Sequence, residues 1–382
     1  MIHIAFFTKG PSDFNPNTGG VQRIVRLLEK ELLTRGCKVS LISGITSDSN
    51  CSDVIYLPNK KLYSKQNVDY LINVIDKKGI THLINEDALD NDVFKLLHKI
   101  SKKVKLISVH NNCIKCLEDH YENIFKSNRS EFFIKIVDLS HSMGFIKILF
   151  RLKMKRHWKK LFETSDAVVV YFEEFKKELL ELVKIPENKV FTIANPSPFE
   201  IIQHKKFNKR IIYVGRVEEN QKRVDRLLLL WKDLHRELQD WQFDFIGDGS
   251  YMSQAKEFIE LHNLNRVTIH GWQDPLEFWD NADIFTLTSD FEGYGMVIVE
   301  AQSRGVIPVS FKCYSAINEV IRDKVSGILV DDFDIVEMKK TIIDLANNEK
   351  DIFKYRSNLD IYLSKYKVGH IVDRWLDLIK NL

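Results

Sequence analysis

Short apolar segments of strand character alternate with segments of helical period along the whole chain, and this alternation most constrains the fold. Strands separated by helices pair in parallel, because a parallel crossover needs a dozen or more residues. In the first half the predicted strands are 2–7 (IHIAFF), 38–43 (KVSLIS), 82–85 (HLIN), 105–110 (KLISVH) and 167–172 (AVVVYF). Between the first two, Val21, Ile24, Val25, Leu28, Leu32 and Leu33 recur at helical spacing over 20–35, and Gly36 closes that helix. A second set of strands follows at 210–215 (RIIYVG), 243–247 (FDFIG), 267–271 (VTIHG), 283–289 (DIFTLTS) and 306–311 (VIPVSF).

At 382 residues the chain exceeds one ordinary core, since single domains run to about 150–200 residues. The expected architecture is α/β: two facing Rossmann-like domains with parallel sheets and a cleft between them, where open sheets of this kind bind ligands. The expected boundaries are 1–195 and 196–365, with a terminal helix in 366–382 packing back on the first domain through Ile371, Trp375, Leu376 and Ile379. Three prolines, Asn195 and clustered lysines mark 186–210 as the linker.

The net charge of +3 hides an imbalance: residues 1–200 carry 31 Lys+Arg against 24 Asp+Glu, and the remainder 25 against 29. A basic first half fits an anionic surface or acceptor. Within it, 141–162 interleaves seven Lys/Arg with Phe, Ile, Leu, Met and Trp, a pattern open to two readings: a basic helix lying on an anionic membrane, or a domain helix solvating its cations. No apolar run reaches bilayer length, and MIHIAFFTKG reads as a buried strand in place of a leader, so the expected location is cytoplasmic. The five cysteines, Cys37, Cys51, Cys113, Cys116 and Cys313, are expected to be reduced thiols. Cys113 and Cys116 form a CxxC pair without the second pair a zinc site needs, and no bound metal or nucleic acid is expected.

Chemistry concentrates in SDFEGYGMVIVEAQSRG, 289–305. A strand ends in a loop holding Glu292, Gly293, Tyr294 and Gly295, and a helix then runs from Met296 to Ser303 with Glu300 on it. Glycines let backbone N–H groups approach a ligand, and the helix start favours negative charge. Glu300 sits in an apolar stretch, where an unpaired carboxylate is costly unless it has work to do. In IIYVGRVEENQKRV, Gly215 and Arg216 follow a strand and Lys222 precedes a helix. Two cations at one strand end suit a departing diphosphate, although exposed cations can also merely solvate a loop. Gly19 and Gly20 lie between a strand and a helix without forming a GxGxxG or GKS/T fingerprint. His110 ends a strand; a lone histidine is more often structural, but this position faces the expected cleft.

Together these segments resemble family 4 of the retaining glycosyltransferases, which have the GT-B fold, over nearly the whole length. The family's E-x7-E element is similar to Glu292–Glu300, with EGYG where EGFG is usual, and its phosphate-binding pair to Arg216 and Lys222. Lys222-Arg223 stands where many relatives have lysine-glycine. The GG loop matches Gly19-Gly20-Val21 and the strand-end histidine matches His110. The resemblance implies that Glu292 and the amides of Gly293, Tyr294, Gly295 and Met296 hold donor-sugar hydroxyls, and that Glu300 binds the ribose. It places the base near Gly271 and Trp272, and His110 beside the donor sugar. It further implies a UDP-sugar donor, no cofactor or metal, and front-face transfer of a hexose or N-acetylhexosamine. The implied acceptor is a glycan or lipid-linked glycan in assembly of bacterial lipopolysaccharide, O-antigen or capsule, at the inner face of the plasma membrane. Two alternatives remain open: a nucleotide-sugar epimerase of the same fold, and a non-catalytic sugar-nucleotide binder.

Overall fold

A computed structural model describes residues 2–11, 14–16, 19–45, 51–115, 143–202, 205–331 and 333–382. The chain divides into two compact units, residues 1–196 with 368–382, and residues 197–367.

The first unit is built on a parallel sheet of β1 (His3–Pro11), β2 (Lys38–Ile45), β3 (Val54–Tyr56), β4 (His82–Asn85), β5 (Lys105–Val109), β6 (Ala167–Val170) and β7 (Val190–Thr192). Their spatial order is β3-β2-β1-β4-β5-β6-β7. Every residue of β4 and β6 is buried, as expected of central strands covered on both faces. The covering helices are α1 (Gly20–Thr34), α2 (Lys65–Lys78), α3 (Asn91–Ile100), α4 (Met143–Thr164) and α5 (Glu173–Leu182). Their ends follow local chemistry. Ser64 accepts from the Asn67 N–H to start α2, and Gly79 ends it at φ 66°. Asp90 accepts from the Asp92 and Val93 N–H groups to start α3.

The second unit repeats the plan with β8 (Arg210–Val214), β9 (Gln242–Ile246), β10 (Val267–Gly271), β11 (Ile284–Leu287), β12 (Ile307–Phe311) and β13 (Ile328–Val330). The order is β10-β9-β8-β11-β12-β13, again parallel throughout. Its helices are α6 (Val224–Glu237), α7 (Met252–Leu261), α8 (Leu276–Asn281), α9 (Met296–Ser303), α10 (Ile317–Val320), α11 (Ile335–Ala346) and α12 (Glu349–Leu363). At the foot of β11 the buried Asp283 receives Arg356 of α12 at 2.6 Å.

Both sheets therefore reverse strand order once, between β1 and β4 and between β8 and β11. Crossovers run outward in opposite directions from such a point, leaving a crevice at the carboxyl ends of the two strands. Every candidate motif has to be located against these two points.

Three short edge strands, β3, β7 and β13, escape the hydrophobic pattern because three residues cannot show a period. Strand β7 also corrects the linker: 190–192 pair with β6, so the first part of 186–210 belongs to the sheet. Cys113 is disulfide-bonded while Cys37, Cys51 and Cys313 form no disulfide, so the expectation of reduced thiols fails at Cys113; Cys116 lies outside the described residues. No helix among the described residues is long and apolar enough to cross a membrane.

The C-terminal helix, Val368–Lys380, packs against α1 within the first unit. It buries Ile371, Val372, Trp375, Leu376, Leu378 and Ile379, and Arg35 pairs with Asp373 at 2.7 Å. Trp375→Ala should lower unfolding free energy by about 3–5 kcal/mol, the range for a buried tryptophan. A urea titration checks it; a shift no larger than a surface substitution produces would show that the helix is not part of the core.

Candidate active site

At the reversal point of the second sheet, β8 runs into Gly215 and Arg216, and β11 runs through Thr288 and Ser289 to Glu292. Lys222 spans the gap, its Nζ donating to Glu292 Oε1 at 2.6 Å. Both side chains are nearly buried, at 11% and 7% exposure. The same carboxylate oxygen accepts from Ser289 Oγ at 2.7 Å. Thr288 Oγ1 holds the backbone on the other side, donating toward the Lys222 and Arg223 carbonyls at 3.3 and 3.1 Å. Arg216 stays largely exposed, with its guanidinium donating to Glu218 at 3.1 Å and to Gln221 Oε1 at 2.7 Å. Gln221 in turn donates to the Phe291 carbonyl at 3.0 Å. One network thus joins the two loops and sets two cations and a carboxylate at the reversal point of the second sheet. Asp290 adds salt bridges to Arg223 and Arg226 behind it.

Glycines set the backbone of this edge. A Cβ on Gly247, which has φ 143°, would lie 1.8 Å from the Gly215 carbonyl oxygen, and one on Gly249 would lie 2.4 Å from the Val217 carbonyl oxygen. The GDG turn therefore lies directly on the strand end that carries Arg216. Gly271, at φ 71°, accepts from the Gly247 N–H at 2.8 Å, and Trp272 beside it is 64% exposed. Gly295 precedes α9 in the left-handed region at φ 77°. A Cβ there would meet Tyr314 Oη at 2.9 Å, and that hydroxyl donates to the Tyr294 carbonyl at 2.9 Å. Gly293 is partly exposed, Tyr294 and Glu300 are buried, and Met296 opens the helix.

The remaining predicted residues belong to the first unit. Gly19 and Gly20 start α1. Gly19 has an extended backbone, and a Cβ on Gly20 would meet nothing within 4 Å, so packing there does not demand glycine. His110 lies beyond β5, 2% exposed, with its ring edge-on to Trp158 at 5.0 Å. Burial, then His157, pushes its pKa down to about 3, so the imidazole is neutral at pH 7. Its Nε2 is buried without a hydrogen-bond partner. Among the described residues no cluster of His, Cys, Asp or Glu is arranged to hold a metal.

Sequence reasoning passed over Gln221 and Ser289, which orient Arg216 and Glu292, because short polar side chains carry no period. It also passed over Glu86, directly beyond β4 at the first sheet's reversal point. The signal available was positional: a carboxylate one residue past a central strand. Burial raises its pKa to about 8; the hydrogen bond from Asn111 opposes that rise and Asp87 adds to it.

The fold and this crevice first define a class: α/β proteins that bind nucleotides where a parallel sheet reverses its order. More narrowly, residues 197–364 match the glycosyl transferases group 1 family. An uncharacterized glycosyltransferase of Haemophilus influenzae is 26% identical over 379 residues, spanning 95% of this chain and 97% of that protein. The lipopolysaccharide 1,6-galactosyltransferase of Salmonella typhimurium is 36% identical over 134 residues, 32% of this chain and 36% of its own length. Among solved structures, a mutant of S. aureus TarM in complex with UDP and alpha-GlcNAc-glycerol superposes with a TM-score of 0.73 at 14% identity, covering 99% of this chain and 100% of that one.

Gly247→Ala should destabilise the chain by about 2–3 kcal/mol, since the new methyl group collides with rigid backbone at a φ unfavourable for alanine. Gly20→Ala, with open space, should cost far less; equal losses in thermal melts would contradict the stacked strand ends. For Glu86 the folded pKa lies above the unfolded one, so unfolding releases a proton between pH 4.5 and 8. Stability should fall with rising pH across that window, by up to about 1.4 kcal/mol per unit. Glu86→Gln should remove that slope in urea titrations; an unchanged slope would mean that the carboxyl is already ionised.

Proposed function

We propose that this glycosyltransferase moves a hexose or N-acetylhexosamine from a UDP-sugar to an acceptor hydroxyl of a bacterial cell-surface glycan, with retention of configuration. The observation that carries the reading is the Lys222–Glu292 pair at 2.6 Å, set with Arg216 at the reversal point of the second sheet. In this scheme the bond between C1 of the sugar and the diphosphate oxygen breaks while the acceptor oxygen bonds C1 on the same face. The leaving diphosphate takes the acceptor proton. Arg216 and Lys222 stabilise the charge growing on the diphosphate, a task that needs fixed donors in a water-poor crevice. Glu292 and the backbone from Gly293 to Met296 orient sugar hydroxyls, Glu300 holds the ribose, Gly271 and Trp272 flank the base, and His110 stands beside the transferred sugar. The UDP bound by TarM and the galactosyl transfer named for the Salmonella relative support donor and pathway.

The acceptor in this reading is a glycan or lipid-linked glycan at the inner face of the plasma membrane. Helix α4 supports the membrane part: Ile148, Leu149 and Leu152 are 58%, 49% and 46% exposed among its cations. Residues 141 and 142 of the predicted basic segment lie outside the described residues.

Four measurements test the proposal. Purified protein should release UDP from a UDP-sugar only when acceptor is present, which also separates it from an epimerase or a simple binder. Arg216→Ala, at an exposed position that the fold tolerates, should cut kcat about 10²–10³-fold, while Glu300→Ala should chiefly weaken UDP binding in calorimetry. Near-native turnover of Arg216→Ala would reject the assigned site. Replacing Lys153, Lys155, Lys159 and Lys160 with Gln should reduce sedimentation with anionic liposomes, and undiminished binding would dismiss the membrane role of α4.

A further inference from the structure

Lys222 reaches Glu292 from a turn that has little of its own to hold it. The next residue, Arg223, lies in the left-handed region at φ 50° and stands at the cap position of α6 without a side-chain capping bond. A non-glycine residue in that conformation, at an uncapped helix start, needs support from elsewhere in the chain. Asp290, in the loop that carries Glu292, supplies it. Its backbone N–H donates to the Gln221 carbonyl at 2.8 Å, on one side of Lys222. On the other side its carboxylate accepts from Arg223 Nη1 at 3.4 Å and from Arg226 Nη1 at 2.5 Å. Both arginines are braced in turn. Asp225 takes Arg223 in a fork at 2.9 and 2.6 Å, and the Arg226 guanidinium lies 4.2 Å from the centre of the Phe333 ring. One aspartate thus grips both chain neighbours of Lys222 and a third point in the first turn of α6, and all three charged side chains are partly buried.

We propose that Asp290 is a positioning residue for sugar transfer: through Gln221, Arg223 and Arg226 it holds Lys222 where the amine meets both Glu292 and the donor's diphosphate. The inference rests on the glycosyltransferase reading above and adds a residue that acts on the reaction through another. A lysine amine on its flexible four-carbon stem is only as well placed as the backbone it starts from. A misplacement of about 1 Å at a reacting centre can cost about a hundredfold in rate. An isolated exposed ion pair contributes little stability, whereas one carboxylate shared by two arginines is a network that fixes geometry. Asp290 has the wrong sign to help a diphosphate directly, since a carboxylate close by disfavours further negative charge. Its effect on ligand binding through position and its effect through charge therefore have opposite signs.

Titrations of the full chain with UDP and with uridine separate the two effects, because only UDP carries the diphosphate that Lys222 is placed to meet. Asp290→Asn keeps the size of the side chain and removes its charge. It should weaken UDP binding about tenfold in calorimetry, the share of one charge-assisted hydrogen bond, and leave uridine binding, followed by saturation-transfer NMR, unchanged. Arg226→Gln alters the charge in the other direction and should give the same loss for UDP alone. In a Lys222→Gln background, Asp290→Asn should cost no further UDP affinity, because the two changes then act on one interaction. Unchanged or tighter UDP binding in Asp290→Asn, an equal loss for uridine, or a further loss in the Lys222→Gln background would each overturn the proposal. Where uridine binds too weakly to follow, the direction of the UDP change and the Lys222→Gln background decide. Should Asp290→Asn fail to fold, Asp290→Ser removes the same charge and carries the same expectations. Failure of the native chain to bind UDP would count against the functional reading itself, whereas normal UDP binding with any of those outcomes sinks only the role of Asp290.

Discussion

The ion pair between Lys222 and Glu292 is the constraint on which the second unit's crevice depends. Two charges held at 2.6 Å with little solvent around them are costly to bring out of water, and such a pair adds little net stability over apolar packing. Removing one partner is another matter, because the survivor is left buried and uncompensated. The pair therefore ties the loop after β8 to the loop after β11 more by the cost of breaking it than by its own worth. Ser289 and Thr288, both fully buried, supply the hydrogen bonds that make the arrangement tolerable. The geometry this enforces is a cation and a carboxylate fixed side by side at the sheet's reversal point, before any ligand arrives. Fixed donors cost no reorganisation at the moment of reaction.

Close backbone approach supplies the second constraint. The GDG turn can lie on the end of β8 only because Gly247 and Gly249 lack a Cβ, and α9 can start beneath Tyr314 only because Gly295 adopts a left-handed conformation. These glycines work through the shape of the crevice floor. The double glycine at 19–20 differs: a Cβ on Gly20 would meet nothing within 4 Å, and one on Gly19 would meet only the end of the flexible Gln22 side chain, at 2.6 Å.

The α/β class was legible because both sheets consist of buried parallel strands, whose apolar runs and intervening helical periods leave few other solutions. Most strand ends fell within a few residues of their predicted places; α9 matched residue for residue, and the terminal helix lies within the predicted 366–382. What was illegible had no period: three-residue edge strands, and a β7 hidden in a proline-bearing stretch that reads as linker. The second unit's motifs were legible because charge and glycine stand out against apolar strands. Gln221 and Ser289 did not stand out, since their importance comes from hydrogen bonds to partners distant in sequence or set by loop geometry. Glu86 was missed for a related reason. A single glutamate after HLIN is unremarkable until the strand order shows that β4 borders the reversal point.

Each sheet reverses its strand order once, yet the groups gathered at the two reversal points differ in their electrostatics. The second sheet's crevice holds Arg216 and Lys222 and so suits a ligand with fixed negative charge. The first sheet's reversal point holds a carboxyl whose pKa burial raises to about 8 and a histidine whose pKa burial lowers to about 3. In the proposed transfer Arg216 and Lys222 are the groups that act on the departing diphosphate, because fixed cations stabilise growing negative charge without reorganisation.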